Sequence, residues 1–373
     1  MTFVVLLSMT ICLLGLTLLP LLRYEAWWVR SLDFPRFPLS IAFVVLVSLD
    51  LMLLDFSALG PWLILVTAMA CLLYQLWWIL PYTPLFPVEA KNASNIDPRR
   101  RIRIMTANVL ATNRDASALL KLVSDNEPDV LVTLESDAWW QSKLDALETD
   151  FSFTIKCPLD NLYGMHVYSK LPLSERRIEF LVEPDVPSMH ALVTIPSGDR
   201  IRIHFLHPSP PSPTENDSSS ERDAELLIVA KSVRRSSLPL IVTGDLNDVA
   251  WSATTRLFRK MSRLIDPRVG RGMFNTFHAD HWFIRWPLDH LFHSHHFTVS
   301  DIRRLPHFGS DHFALFTALS LEPQQEKRSD GFGIDEEELR WVNEKIEDQD
   351  VSADDVPRPE NHKLSRVLAN NHF

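Results

Sequence analysis

The chain has 373 residues, 46% of them hydrophobic, and a net charge of -10 at pH 7. That is ample for a core and allows one large domain or two smaller ones. Residues 101–320 carry 24 basic and 27 acidic side chains, residues 321–373 carry 7 and 14, and the near-neutral middle without a dense Lys/Arg block argues against a binder that relies on a basic footprint.

Three apolar stretches come first, at residues 3–22, 38–54 and 61–80. Each is roughly 17–20 residues, long enough to cross a bilayer core of about 30 Å as a helix. The first lacks the basic leader of a signal peptide, and two further spans follow it. We therefore read three transmembrane helices, with residues 56–60 as a tight turn that makes the second and third a hairpin. Arg23, Arg30 and Arg36 lie in the first loop, none in the second, and Lys91, Arg99, Arg100, Arg101 and Arg103 after the third span. The positive-inside rule then puts the N-terminus outside and the C-terminal domain in the cytoplasm, as a multi-pass protein of the plasma (inner) membrane. Trp27, Trp28, Trp62, Trp77 and Trp78 lie at or near span ends, where an aromatic belt is expected. Asp50 falls inside the second span; it is either a functional intramembrane carboxylate or a residue near the outer interface. Cys12, Cys71 and Cys157 fit no disulfide framework or zinc-knuckle spacing.

Residues 83–100 read as a proline-containing, extended linker. Residues 101–320 then read as one α/β domain. Apolar runs predict strands at 102–107, 130–134, 164–169, 191–195, 201–206, 240–243, 288–293 and 313–319. Helical spacing covers 116–126, with Asp115 as N-cap, and 221–234; a Pro/Ser-rich loop at 208–220 precedes the latter. The acidic segment 321–373 reads as mostly disordered and solvated, with one helix at 335–347.

Polar residues end or follow the predicted strands: Asn108, Glu135, His207, Asp245 with Asn247, Asp289, and Asp311 with His312. A metal-assisted attack on a phosphoester needs carboxylates for a hard cation, a group that handles the attacking water, and donors for the phosphate oxygens. These are the right residue types, and soft ligand sets for zinc or copper are absent. Three details stay open from the sequence. Asp137 is an alternative to Glu135 as a ligand, although Glu135 ends the strand. The histidines between His278 and His307 form either solvated loop positions or a second metal site. Trp251 either lines a cleft or packs.

The motifs, taken together, resemble the endonuclease/exonuclease/phosphatase family, as a membrane-anchored, bacterial-type member. They are Thr106-Ala107-Asn108-Val109, Leu134-Glu135, the run Gly164 to Pro172, His204 to Pro208, Gly244-Asp245-Leu246-Asn247, Leu288-Asp289-His290 and Ser310-Asp311-His312. They fall in the family's order and span roughly residues 101–319. The resemblance implies a four-layer α/β sandwich of two mixed β-sheets flanked by helices, here preceded by the three transmembrane helices. It implies Mg²⁺, with Mn²⁺ as a substitute, held by Glu135 with Asn108 and Asp311 nearby. Asp245 would orient or deprotonate water, Asn247 and His207 would contact phosphate oxygens, and Asp289 would hold His312 for the transition state. The expected activity is a membrane-anchored, Mg²⁺-dependent phosphoester hydrolase of the phosphodiesterase, nuclease or phosphatase class. Its partners would be the lipid bilayer and a phospholipid, a lipid-linked phosphate or a nucleic acid. The alternative is a non-catalytic membrane scaffold on an inactive hydrolase domain.

Overall fold

Helix α1 (Thr2–Leu18), a short α2 (Trp27–Arg30), α3 (Arg36–Leu53) and α4 (Leu59–Ile79) lead the chain in a computed structural model that describes residues 1–22, 24–94, 97–234, 236–322 and 333–358. Three stretches, Thr2–Leu21, Arg36–Leu53 and Leu59–Tyr82, are long and apolar enough to cross a membrane, within two residues of the expected bounds. Leu6, Phe43, Leu46 and Leu72 pack together, whereas Val45, Leu63, Val66 and Leu73 remain exposed. A helix apolar on all sides suits lipid rather than water. One polar ladder joins the three helices: Gln75 Nε2 donates to Thr17 Oγ1 at 3.1 Å, and Arg36 Nη1 donates to Gln75 Oε1 at 3.2 Å. Asp33 pairs with Arg36 at 2.5 Å. Asp50 is fully buried near the far end of α3, and its carboxylate has no hydrogen-bond partner among the described residues.

The remaining elements alternate strand and helix. They are β1 (Arg101–Asn108), α5 (Ala116–Asn126), β2 (Val130–Leu134), α6 (Ala138–Leu144), β3 (Phe153–Cys157), β4 (Met165–Ser169), β5 (Leu173–Glu179), β6 (Ser188–Thr194) and β7 (Arg200–Leu206). Then come α7 (Ser220–Val233), β8 (Leu240–Asp245), α8 (Ala253–Ser262), β9 (Asp289–His293), β10 (Phe297–Arg304), β11 (Leu315–Leu321) and α9 (Glu336–Asp348). One sheet has the order β10-β11-β1-β2-β4-β3 and the other β5-β6-β7-β8-β9. Each contains one parallel pair, β1/β2 and β7/β8, so both sheets are mixed.

Alternation along the strands builds the layers. Ile102, Ile104, Val130 and Val132 meet Ile201, Ile203, Ile241 and Leu291 between the sheets. On the outer face of the first sheet, Met105, Leu131 and Phe316 pack under Leu119, Val123 and Trp140 of α5 and α6. On the outer face of the second, Leu206, Val242 and Phe292 pack under Leu226, Leu227, Leu257 and Phe258 of α7 and α8. Strands buried on both faces read as continuous apolar runs, and every strand expected from such a run is present. The sequence pattern misses β3, β5 and β10, and each lies at the edge of its sheet. Edge strands carry charge and bulges that suppress edge-to-edge pairing. Here β5 runs Ser-Glu-Arg-Arg through a bulge, and β10 is bulged between Val299 and Asp301.

Two stretches pack more closely than composition reveals. The described part of residues 83–100 does not run free of the domain. Tyr82 Oη donates to Ala250 O at 2.7 Å, Glu89 pairs with Arg259, Ala90 is fully buried, and Ala93 N donates to Val299 O at 2.9 Å. The stretch is a strap docked along the domain through these contacts, which composition does not reveal, while Leu85 and Val88 stay exposed. The acidic segment is not simply solvated either. Its helix forms where expected, with an Asp335/Glu338 capping box. Val342, Ile346 and the later Val356 join the core beside α7, and Lys345 pairs with Asp223 at 2.7 Å. The rest of the expected disordered stretch, 323–332 and 359–373, lies outside the described residues.

Candidate active site

The C-terminal ends of the two parallel pairs meet at one rim. Thr106 Oγ1 and Thr243 Oγ1, 2.9 Å apart, link β1 to β8 across the sandwich. That contact sets Asn108 and Asp245, each two residues on, side by side. Gly244 makes this possible. Its φ is +151°, and a Cβ there would sit 1.8 Å from Leu206 O on β7, so only glycine lets β8 end here.

Asn108 is buried and organises the carboxylates. Its Nδ2 donates to Glu135 Oε1 at 2.8 Å and to Asp245 Oδ2 at 3.2 Å, while its Oδ1 accepts from Leu110 N at 3.0 Å. Asp245 Oδ1 accepts from Asn247 N at 2.9 Å. Asn247 has φ +50° and its Nδ2 donates to Pro208 O at 3.0 Å, which ties the loop after β8 to the loop after β7. Asn tolerates this left-handed backbone better than most residues. Glu135, at φ +57°, does so with less ease, and such outliers concentrate at functional sites.

The Ser310-Asp311-His312 loop closes the other side. Ser310 Oγ donates to Asn108 O at 2.7 Å and accepts from His312 N at 3.0 Å. His312 Nδ1 lies 2.8 Å from Asp289 Oδ2, and its Nε2 lies 3.5 Å from Asp245 Oδ2. Burial alone would lower the His312 pKa, but the Asp289 and Asp245 carboxylates overcome it and push the imidazole up to about 10. His312 is therefore an imidazolium at neutral pH. His207 is the opposite case. Burial outweighs the pull of Asp245 and holds it near 4, so it is neutral, and its buried Nδ1 has no partner among the described residues. Burial raises Glu135 to about 7, the Asn108 hydrogen bond and His312 oppose this, and Asp311 and Asp245 add to it.

A cleft of about 400 Å³ opens over this rim, and Glu135, His207, Asp245, Asn247, Asp311 and His312 line it. Asn108 and Asp289 lie behind, 1% and 0% exposed. All eight expected residues thus converge, six facing the cleft and two supporting them. Two groups of atoms could hold a cation. Asp245, Asp289 and His312 offer ligand atoms within 4.8 Å of one another. In that group His312 already bonds Asp289 and faces Asp245. Glu135 and Asp311 line the cleft beside it, and their hard carboxylate oxygens suit Mg²⁺ or Mn²⁺. The donor set fits the expected metal.

Other open points resolve. Asp137 caps α6, accepting from Trp140 N at 2.8 Å, and pairs with Arg114 at 2.7 Å. Trp251 is 1% exposed and donates from Nε1 to Asp33 O at 2.8 Å, so it packs the connection between α1 and α3 onto the domain. Among the described residues, the histidines from His278 to His307 do not join a metal-sized cluster. Sequence reasoning missed Ser310 as a hub, Tyr163 beside His207, and Arg222, whose Nη1 donates to Asn247 O at 2.8 Å. Arg222 sits in the first turn of α7 with no motif around it. It also missed Trp27, Ser31 and Phe34, which line the cleft from the far side.

The model of the endonuclease/exonuclease/phosphatase family matches residues 105–312. A search of curated proteins finds no match. Among solved structures, the human Nocturnin catalytic domain with bound sulfate anion is 19% identical, covers 60% of this chain and 96% of that one, and has a TM-score of 0.50. Humanized D. rerio TDP2 is 15% identical, with 59% and 99% covered and a TM-score of 0.48. Sphingomyelinase C from Streptomyces griseocarneus is 12% identical, with 58% and 99% covered and a TM-score of 0.44. At these identities the likeness concerns the fold alone.

Proposed function

We propose that this chain, which belongs to the endonuclease/exonuclease/phosphatase family, is a membrane-anchored, Mg²⁺-dependent phosphoester hydrolase. The observation that carries the reading is the convergence of Glu135, His207, Asp245, Asn247, Asp311 and His312 on one cleft, with Asn108 and Asp289 holding them from behind. His312 is held as a cation by Asp289, and His207 is held neutral by burial, on the two sides of Asp245. A non-catalytic scaffold has no use for such an arrangement.

Mg²⁺ bound through Glu135 and Asp311 would act as a Lewis acid on the phosphoryl oxygens. Asp245, fixed by Asn247 N and Asn108, orients the attacking water and accepts its proton. The His312 cation faces charge that grows on the phosphate in the transition state, and Asp289 holds its ring. His207, buried with a free nitrogen, supplies a neutral contact to a phosphate oxygen. Residues 1–82 serve as the anchor, 101–320 as the hydrolase, and the strap at 83–100 couples them. The arginine bias assigns the domain to the cytoplasmic side of the inner membrane.

The full chain, purified in detergent, would be offered bis-p-nitrophenyl phosphate, abasic DNA, sphingomyelin and a phosphomonoester, with Mg²⁺ and with EDTA. Turnover that needs Mg²⁺ and disappears in Asp245→Ala is expected. Absence of metal-dependent turnover on every substrate, or equal turnover by the variant, would sink the reading. A reporter fused at the C-terminus and found outside would overturn the assigned side.

A further inference from the structure

The cleft has a second wall that does not belong to the hydrolase domain. Trp27, Ser31 and Phe34 come from the connection between the first two candidate membrane spans. This connection is fastened to the domain along its length. Trp27 N donates to Asp217 O at 2.9 Å, Ser219 N donates to Glu25 O at 2.9 Å, and Asp33 O accepts from Trp251 Nε1 at 2.8 Å. Glu25 also bonds Lys345 and Ser220. Trp27 and Phe34 are half-buried over the cleft, and Phe34 rests edge-on against Trp286 at 6.1 Å.

Depth and chemistry say what such a wall can hold. Phe34 stands two residues before the span that begins at Arg36, and the neighbouring Trp28 and Phe37 are 47% and 49% exposed. Aromatic residues at a span end sit at headgroup level. The cleft therefore opens beside the bilayer surface. Among the described residues neither Lys nor Arg lines it, and its opposite side adds Pro210, Pro211 and Leu162. A nucleic-acid strand needs a row of cations that follows its backbone, and among the described residues this cleft offers His312 at the rim and no such row. It offers one phosphate site with apolar walls.

Resting on the hydrolase reading above, we propose that Trp27 and Phe34 are specificity-determining residues which admit a membrane lipid phosphoester from the bilayer surface, its headgroup phosphate reaching the rim and its apolar portion held by this wall. The anchor is then part of the substrate site as well as a tether.

The test uses the full chain in nanodiscs of phosphatidylethanolamine and phosphatidylglycerol in equal parts, with lipid headgroup release and bis-p-nitrophenyl phosphate hydrolysis measured in parallel. In Trp27→Ala and in Phe34→Ala the ratio of kcat/KM on lipid to that on the soluble ester should fall at least tenfold, mainly through KM. Trp27→Phe should restore most of it. Equal loss on both substrates, an unchanged ratio, or a wild type that cleaves the soluble ester but neither lipid, overturns the proposal. A wild type that cleaves neither substrate removes the hydrolase reading, and the wall is then judged by capture. A photo-crosslinking residue in place of Phe34 should capture lipid, and acyl-free glycerophosphoethanolamine and glycerophosphoglycerol should compete with that capture. The same residue in place of Phe37 should capture lipid without competition. Capture at position 34 that is absent or uncompeted overturns the proposal as well.

Discussion

The two walls of the cleft are built on opposite principles. The rim wall is polar and buried, and its residues bond to one another: Asn108 between Glu135 and Asp245, Asp289 behind His312, Ser310 between two loops. The anchor wall is apolar and half-buried, and backbone hydrogen bonds and one ion pair hold it from behind. The difference teaches where chemistry and selection reside. A charged group in a low-dielectric site has a fixed orientation and an altered pKa, which bond cleavage needs. An aromatic surface at the membrane gives contact without orientation, which suits choosing among substrates.

The largest effect expected is on the rim. Asp245→Ala should lower kcat by ~10³-fold on lipid and soluble esters alike; a loss confined to lipid in steady-state assays would erase the distinction between the walls. Cation removal with EDTA should abolish turnover on both substrates and Mg²⁺ should restore it, while intrinsic fluorescence of the eleven tryptophans reports whether the fold survives.

Asp289→Asn should cost ~10²-fold in kcat/KM and also change the pH profile. His312 is raised to about 10 chiefly because Asp289 and Asp245 overcome its burial. With one carboxylate gone, burial pulls the pKa down, so the alkaline limb of the profile should move to lower pH. A profile that only scales, without moving, would detach Asp289 from the protonation of His312.

Lys345→Met sharpens the comparison from outside both walls. Lys345 bonds Asp223 and Glu25, so its loss frees the anchor segment and leaves a buried acid less well paired. Stability should drop by about 3 kcal/mol in urea denaturation, and lipid turnover should suffer more than soluble-ester turnover.

The smallest effect lies in α7. Burial, with help from Glu183, raises Glu225 to about 8, and its Oε1 has no partner among the described residues. The folded protein keeps this proton up to about pH 8, whereas the unfolded chain releases it near the ordinary carboxyl value. Stability therefore falls as pH rises through that window. Glu225→Gln should flatten the fall by on the order of 2 kcal/mol between pH 5 and 8, with the same kcat on both substrates.

The rim was legible in the sequence because its residues end apolar runs. Ile104-Met105-Thr106-Ala107 and Leu240-Ile241-Val242-Thr243 can only be interior strands, so Asn108 and Asp245 must surface at their ends. The edge strands were not legible, since Ser174-Glu175-Arg176-Arg177 looks like a loop until β6 pairs with it. Asp289 and Asn108 were visible as polar residues, but their place behind the cleft was not. Arg30 and Arg36, counted for membrane orientation, turn out to be buried, and Arg36 is fixed by Asp33 and Gln75.

By itself the sequence determined three apolar spans, the family's two-sheet sandwich and the residues at its rim, because strand burial and helix hydrophobicity are local patterns with fixed periods. Only the tertiary structure decided which residues face substrate, which histidine carries a proton, and that Trp27 and Phe34 belong to the cleft. Those properties depend on dielectric, on neighbouring charge and on contacts such as Asp33 with Trp251, 218 residues apart along the chain, and no local pattern encodes a distance of that kind.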